Sequence, residues 1–173
     1  MKKNIFALLL VFISVSVFAQ KFFYVNSDYI MENVPEFKEA QNEIDALSKK
    51  WQAEIESRLK EIEDLKASFQ AEMVLLTDQM RADRGNEIKK KEIELQEFQV
   101  EKFGIEGELF KKKKTLVQPI QERVYDAIRE VAETGGYGMV FDKSKNPTLL
   151  YGSDKLDKSK LVLRKMGVKI GVK

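Results

Sequence analysis

PEFKEAQNEIDALSKKWQAEIESRLKEIEDLKASFQAEMVLLTDQM, residues 35–80, places an apolar residue at every third or fourth position: Ala40, Ile44, Leu47, Trp51, Ile55, Leu59, Ile62, Leu65, Phe69, Met73, Leu76 and Met80. The mean step is about 3.6, the period of one face of a straight α-helix, and a run of fours at Trp51, Ile55 and Leu59 resembles a stutter in a heptad pattern. At 1.5 Å of rise per residue the helix is a rod of about 65 Å, too long for the interior of a small globular domain. The pattern is interrupted at Met80-Arg81-Ala82-Asp83-Arg84-Gly85-Asn86, where Gly-Asn is a turn-forming pair. A second amphipathic stretch, Glu87 to Thr134, carries Ile88, Leu95, Phe98, Ile105, Leu109 and Leu116 on one stripe, with Phe103, Phe110, Val117, Val124 and Val131 at seven-residue intervals beside it. Two stretches of matched length predict an antiparallel helical hairpin over residues 35–134, its tip at residues 80–86, in preference to one continuous helix.

Three residues of the return stretch bear on its stiffness. Gly104 and Gly107 each cost about 1 kcal/mol relative to Ala inside a helix. Either they let the two helices approach closely, or they form a compliant hinge; in the hinge reading, replacing both by Ala stiffens the arm and raises thermal stability. Pro119 cannot donate to the carbonyl four residues back and is expected to kink the helix, leaving Ile120, Val124, Ile128 and Val131 as a separate segment docked at the base.

The base comes from the two ends of the chain. Lys2 and Lys3, the apolar run Ile5 to Val17 and Val17-Phe18-Ala19 read as an export signal over residues 1–19, cleaved before Gln20, too short to span a membrane and without a Cys for lipid attachment. Residues 20–34 hold an aromatic strand, Phe22-Phe23-Tyr24-Val25, then a short helix opened by Ser27-Asp28, and Val34-Pro35-Glu36 starts the long helix. In residues 135–173, Gly135-Gly136 ends the hairpin, Tyr137 to Asp142 and Thr148 to Tyr151 read as strands, and Asp157 caps a helix from Lys158 to Met166 that stops at Gly167. Three short strands from two distant segments make a very small core, and association of several chains is the expected remedy.

Composition narrows the chemistry. With no Cys and no His, thiol and imidazole catalysis, disulfides and the usual zinc, copper and haem ligands are excluded. Acidic pairs such as Glu61 with Asp64, or Asp142 with Asp154, have no nearby nucleophile or Gly-rich phosphate loop, so no catalytic residue, cofactor or metal site is assigned. From Gln20 onward the chain is balanced, 28 basic against 28 acidic residues, which argues against a nucleic-acid partner. The balance conceals a gradient. Glu36 to Met80 has 11 acidic and 6 basic residues, Glu87 to Thr134 has 11 and 10, and Gly135 to Lys173 has 3 and 9.

The order of elements resembles the Skp (OmpH-like) periplasmic chaperone family, on the strand Phe22 to Asn26, the long hairpin, Gly136-Tyr137-Gly138-Met139-Val140-Phe141-Asp142, Tyr151-Gly152-Ser153-Asp154 and the helix from Asp157 to Gly167. The resemblance implies a mainly α fold with a small β head: a long antiparallel coiled-coil hairpin, or tentacle, on a β-strand trimerisation domain. It implies a homotrimer whose tentacles surround a cavity holding unfolded outer-membrane proteins without ATP, and leaves open transient membrane-surface contact at the tentacle tip. The implied trimerisation strands contain Phe22, Phe23, Tyr24, Val25, Met139, Val140, Phe141, Leu149 and Leu150. Client-binding candidates are Trp51, Phe69, Met73, Met80, Phe98, Phe103 and Phe110, because aromatic and Met side chains on a flexible arm suit many weak, reversible contacts; for each, burial in the hairpin is the competing reading. A basic cluster is expected at the tip (Arg81, Arg84, Lys89, Lys90, Lys91), although the arms as a whole are acidic where the better-known members are basic. The alternative function is a structural or adaptor coiled coil that binds one folded partner.

Overall fold

The computed structural model describes residues 21–145 and 149–169; the export-signal reading of residues 1–19 and the start of the expected strand at Thr148 lie outside them. In chain order the elements are β1 (Lys21–Val25), α1 (Ser27–Glu32), α2 (Pro35–Glu72), α3 (Asp78–Phe103), α4 (Glu108–Gly135), β2 (Tyr137–Asp142), a 3-10 turn (Asp154–Leu156) and α5 (Ser159–Lys165). The chain divides into two units, one formed by Glu32–Arg123 and the other by the segments on either side of it. The boundary therefore precedes Val124 rather than following Thr134, and the last turns of α4 belong to the second unit.

In the first unit, Pro35 occupies the first turn of α2, where its missing N–H costs nothing, and Glu36 complements the helix dipole. Across from α2, the cross-arm ion pairs Glu36–Arg123 (3.0 Å), Glu43–Lys112 (2.7 Å) and Glu61–Lys91 (2.7 Å) run in opposite sequence directions, which makes the arms antiparallel, and Lys66–Glu92 (2.6 Å) joins the arms nearer the tip. Such half-exposed pairs are each worth about 0–1 kcal/mol and set register more than stability. The apolar seam supplies the stability: Ile62, Ile88 and Leu95 form a buried cluster with Ile55, Leu65 and Phe69 against it.

Two expectations about the hairpin are corrected. Its turn is Met73–Thr77, not residues 80–86; Arg81, Gly85 and Asn86 lie within α3. No residue of the turn needs a positive φ, so no glycine is required there, whereas Gly85 inside a helix costs only about 1 kcal/mol. Thr77 starts α3, its side-chain oxygen accepting from the Met80 N–H at 3.3 Å. The return arm is also two helices, interrupted at Gly104–Gly107, while α4 continues through Pro119. Ile105, expected on the buried stripe, falls in this interruption and is 93% exposed.

In the second unit β1 and β2 are parallel, pairing Phe22 with Met139, Phe23 with Val140, Tyr24 with Phe141 and Val25 with Asp142. A parallel pair requires a crossover connection, and here that connection contains the whole hairpin. Phe23, Tyr24, Val25, Ile30, Val124, Ala127, Val131, Val162 and Leu163 are buried; Phe23 meets the Tyr137 ring edge-on at 4.8 Å. The helix α1 is capped by Asn26, whose side-chain oxygen accepts from the Tyr29 N–H at 3.0 Å. Ser27 is not the cap, because its hydroxyl donates to Asp142 at 2.6 Å. Gly136 (φ 64°) and Gly167 (φ 77°) stop α4 and α5 in the left-handed region, as the sequence predicts.

The third expected strand is absent among the described residues. Leu149 to Tyr151 is irregular and Leu150 is 93% exposed. The place beside β1 is taken instead by Asp157, bridged to Tyr24, with the Lys158 N–H donating to the Tyr24 carbonyl at 3.0 Å. What brings this segment over β1 is the Tyr24 side chain, whose hydroxyl donates to the Gly152 carbonyl at 3.2 Å. A Cβ on Gly152 would lie 2.5 Å from the buried ring, so glycine is required by close approach.

Candidate functional site

The seven apolar candidates separate into two groups. Phe69 packs on the Ile62 cluster. Trp51 meets Phe103 edge-on at 6.0 Å, and the Arg58 guanidinium lies 4.4 Å from the centre of the Phe98 ring. Trp51 and Phe103 thus form an aromatic knot of the hairpin, which Lys102 links to Phe98, and Phe103 still leaves 38% of its surface exposed. Met73, Met80 and Phe110 are instead about half exposed and have unoccupied faces.

Above the knot sits Lys102. Its ammonium lies 5.5 Å from the centres of both the Trp51 and Phe98 rings and donates to Glu101 at 2.8 Å and Glu108 at 2.6 Å. Hydrogen bonding to these two carboxylates raises the Lys102 pKa above the usual lysine range, and hydrogen bonding to Lys102 lowers that of Glu101. Because Glu101 lies in the last turn of α3 and Glu108 begins α4, this cation bridges the interruption at Gly104–Gly107. Opposite it, α2 is continuous, so the return arm is jointed and its partner serves as the splint.

Four exposed aliphatic residues of the arms had no place in the helical-period argument: Val74, Leu75, Ile93 and Val100. A signal for the first two exists in the sequence. Met73-Val74-Leu75-Leu76 is a consecutive apolar run that departs from the helical period, and Thr77-Asp78 after it is a helix start. Val74 and Leu75 are 84% and 86% exposed, at the apex of the hairpin.

The basic cluster expected at the tip is not a patch. Arg81 pairs with Asp78 (3.5 Å), Arg84 with Glu87 (3.3 Å), Lys90 with Glu94 (3.8 Å) and Lys91 with Glu61 (2.7 Å), leaving Lys89 without an ion pair among the described residues. Consecutive lysines also point about 100° apart around a helix. Hydrogen bonding to Glu61 raises the Lys91 pKa, the mark of a cation already engaged.

In the second unit the strand candidates differ in exposure. Phe23, Tyr24 and Val25 are buried, Val140 and Phe141 are half-buried, and Phe22, Met139, Leu150 and Tyr151 are exposed. One edge of β2 has no partner among the described residues. At the end of β2, Asp142 accepts from Ser27 N–H (3.1 Å) and hydroxyl (2.6 Å) and from Ser144 N–H (3.1 Å) and hydroxyl (2.8 Å). Burial pushes its pKa up, but these four donors outweigh burial and hold it below the ordinary carboxylate value.

The chain is thus a long antiparallel hairpin inserted between two parallel strands. The family described as "Outer membrane protein (OmpH-like)" matches residues 21–166. This chain belongs to the OmpH-like family. An OmpH-like structure from Caulobacter crescentus CB15, assigned as an outer membrane chaperone, superposes with a TM-score of 0.70 at 9% identity, covering 87% of this chain and 86% of that one. No curated protein gave a significant match. At that identity the superposition shows the fold alone. Among the described residues of this OmpH-like chain no helix is long and apolar enough to cross a membrane.

Proposed function

We propose that this OmpH-like protein is an ATP-independent holdase of the periplasm, exported by a cleaved signal peptide, which acts as a homotrimer and keeps unfolded outer-membrane proteins from aggregating before insertion. The observation that carries the reading is the apolar side chains the arms leave uncovered, among them Leu59, Met73, Val74, Leu75, Met80, Ile93, Val100, Phe103, Ile105 and Phe110. They are spread along the hairpin surface rather than gathered into one pocket, which suits many weak contacts with a chain that has no fixed shape. Half-exposed Met and aromatic residues adapt to varied partners. Trimerisation is supported by the unpaired edge of β2 and by exposed Phe22, Met139, Leu150 and Tyr151; an open apolar edge invites a neighbouring chain.

The test is light scattering after size exclusion of residues 20–173, alone and with a urea-diluted outer-membrane β-barrel protein. A trimer that holds the client in a soluble complex without nucleotide is expected. A monomer that leaves aggregation unchanged at several-fold excess would sink the reading, and a trimer indifferent to the client would point to an adaptor for a folded partner.

A further inference from the structure

We propose that the hairpin apex, Met73–Thr77, is a client-reading contact in its own right, selective for apolar segments of an unfolded chain flanked by Lys or Arg. The proposal rests on the holdase reading and names which clients that surface favours. Val74 and Leu75 stand 84% and 86% exposed on a turn that hydrogen bonds hold at three points. The Leu75 N–H donates to the Glu72 carbonyl at 2.8 Å, the Arg81 Nε to the Met73 carbonyl at 2.9 Å, and the Arg81 N–H to the Thr77 carbonyl at 2.9 Å. A turn fixed in this way presents its two aliphatic side chains without the ordering cost that a loose loop incurs on binding. With Met73 and Met80 beside them, they make a small apolar platform at the apex.

The charges around the platform decide its occupant. Both arginines of the apex are occupied by acids, Arg81 by Asp78 and Arg84 by Glu87. Among the described residues Glu72 and Asp83 have no cation within ion-pair distance; the Asp83 carboxylate accepts there only from the Gln79 amide, at 3.0 Å. The uncompensated charge next to the platform is therefore negative, as is that of the outgoing arm, where 11 acidic residues face 6 basic ones between Glu36 and Met80. An anionic bilayer is repelled by such a surround. An apolar segment with cationic flanks is attracted, and because screening limits the effect to about 8–10 Å, the flanks within a few residues of the apolar segment are the ones read.

The test uses the mature protein and two fluorescent peptides sharing a Leu/Val core, one flanked by two Lys at each end and the other by two Glu. Anisotropy gives the affinities, circular dichroism confirms the fold, and suppression of β-barrel aggregation is measured in parallel. Wild type is expected to prefer the Lys-flanked peptide by about tenfold, and Val74→Ser/Leu75→Ser to weaken its binding by a similar factor, the equivalent of about 1.4 kcal/mol. Glu72→Gln/Asp83→Asn should keep binding and lose most of the preference. If wild type suppresses aggregation but the serine variant binds both peptides unchanged, the apex proposal is overturned and the holdase reading stands. If wild type neither binds peptide nor suppresses aggregation, the holdase reading fails and takes the proposal with it. Preferential binding of phosphatidylglycerol vesicles over peptide by wild type, lost in the serine variant, would assign the apex to lipid instead.

Discussion

Gly85 and Asp142 show what single residues contribute, and neither contribution was legible from the residue's type. Gly85 lies inside α3, where a Cβ would meet nothing within 4 Å. Ala there removes the entropic cost of glycine without a clash, so Gly85→Ala is expected to gain about 1 kcal/mol, read as a higher urea midpoint at unchanged slope. No change in midpoint would mean that the residue serves a need the helix does not reveal. Reading Gly85-Asn86 as a turn followed glycine's preference alone, and the preference lost to a helix whose seam is anchored at Ile88. Asp142 looks like an ordinary strand-end acid in sequence because its Ser27 and Ser144 donors come from elsewhere in the chain or just beyond the strand. Its folded pKa is depressed, so the stability it contributes is present above the unfolded carboxylate value of about 4 and is lost as pH falls through the lower, folded value. Thermal melts of wild type should therefore drop as pH falls below about 4, whereas Asp142→Asn should melt lower at neutral pH and respond less to acid. Glu36, depressed by its own backbone N–H and by Arg123, leaves a residual acid response in the variant. Equal acid sensitivity in the two proteins would contradict this account.

At the scale of elements, the hairpin was legible because its buried face repeats at the helical period from Ala40 to Phe69 and again at Ile88 and Leu95. Where it bends was not, because both interruptions arise from local backbone geometry that periodicity does not encode. The joint at Gly104–Gly107 also reverses the stability expected of Ala substitution. A Cβ on Gly104 would lie 2.4 Å from the Val100 carbonyl oxygen, and one on Gly107 would lie 2.8 Å from that of Glu101. Both obstacles are backbone and cannot swing aside. Gly104→Ala/Gly107→Ala should therefore lower the melting temperature rather than raise it, with the loss concentrated in amide-exchange protection on either side of Lys102. A higher melting temperature would show that the segment re-forms as continuous helix, and the joint would then be optional rather than built in.

The whole molecule poses a stability problem that neither unit's contact pattern resolves alone. The second unit has two short strands, three short helical pieces and the end of α4 around a core led by Phe23, Val25, Ile30, Val162 and Leu163. A two-stranded sheet is marginal without further cover, and Leu149 to Tyr151, expected as a third strand, leaves Leu150 and Tyr151 in solvent. Their apolar character was readable, but whether they pair within the chain or with another is a property of assembly, which one sequence does not express. If assembly supplies the missing cover, folding and association are linked and the melting temperature must rise with protein concentration. Met139 offers the sharpest perturbation, since it is about half exposed on β2 and pairs in register with exposed Phe22. In an isolated chain Met139→Asp places a charge in solvent at little cost, whereas in a subunit interface it buries an unpaired carboxylate and disfavours association strongly. The expected result is a variant that elutes as a smaller species at micromolar concentration and melts well below wild type, with a melting temperature that no longer depends on concentration. A Met139→Asp protein matching wild type in both elution and melting would place the subunit contact elsewhere than on the open edge of β2.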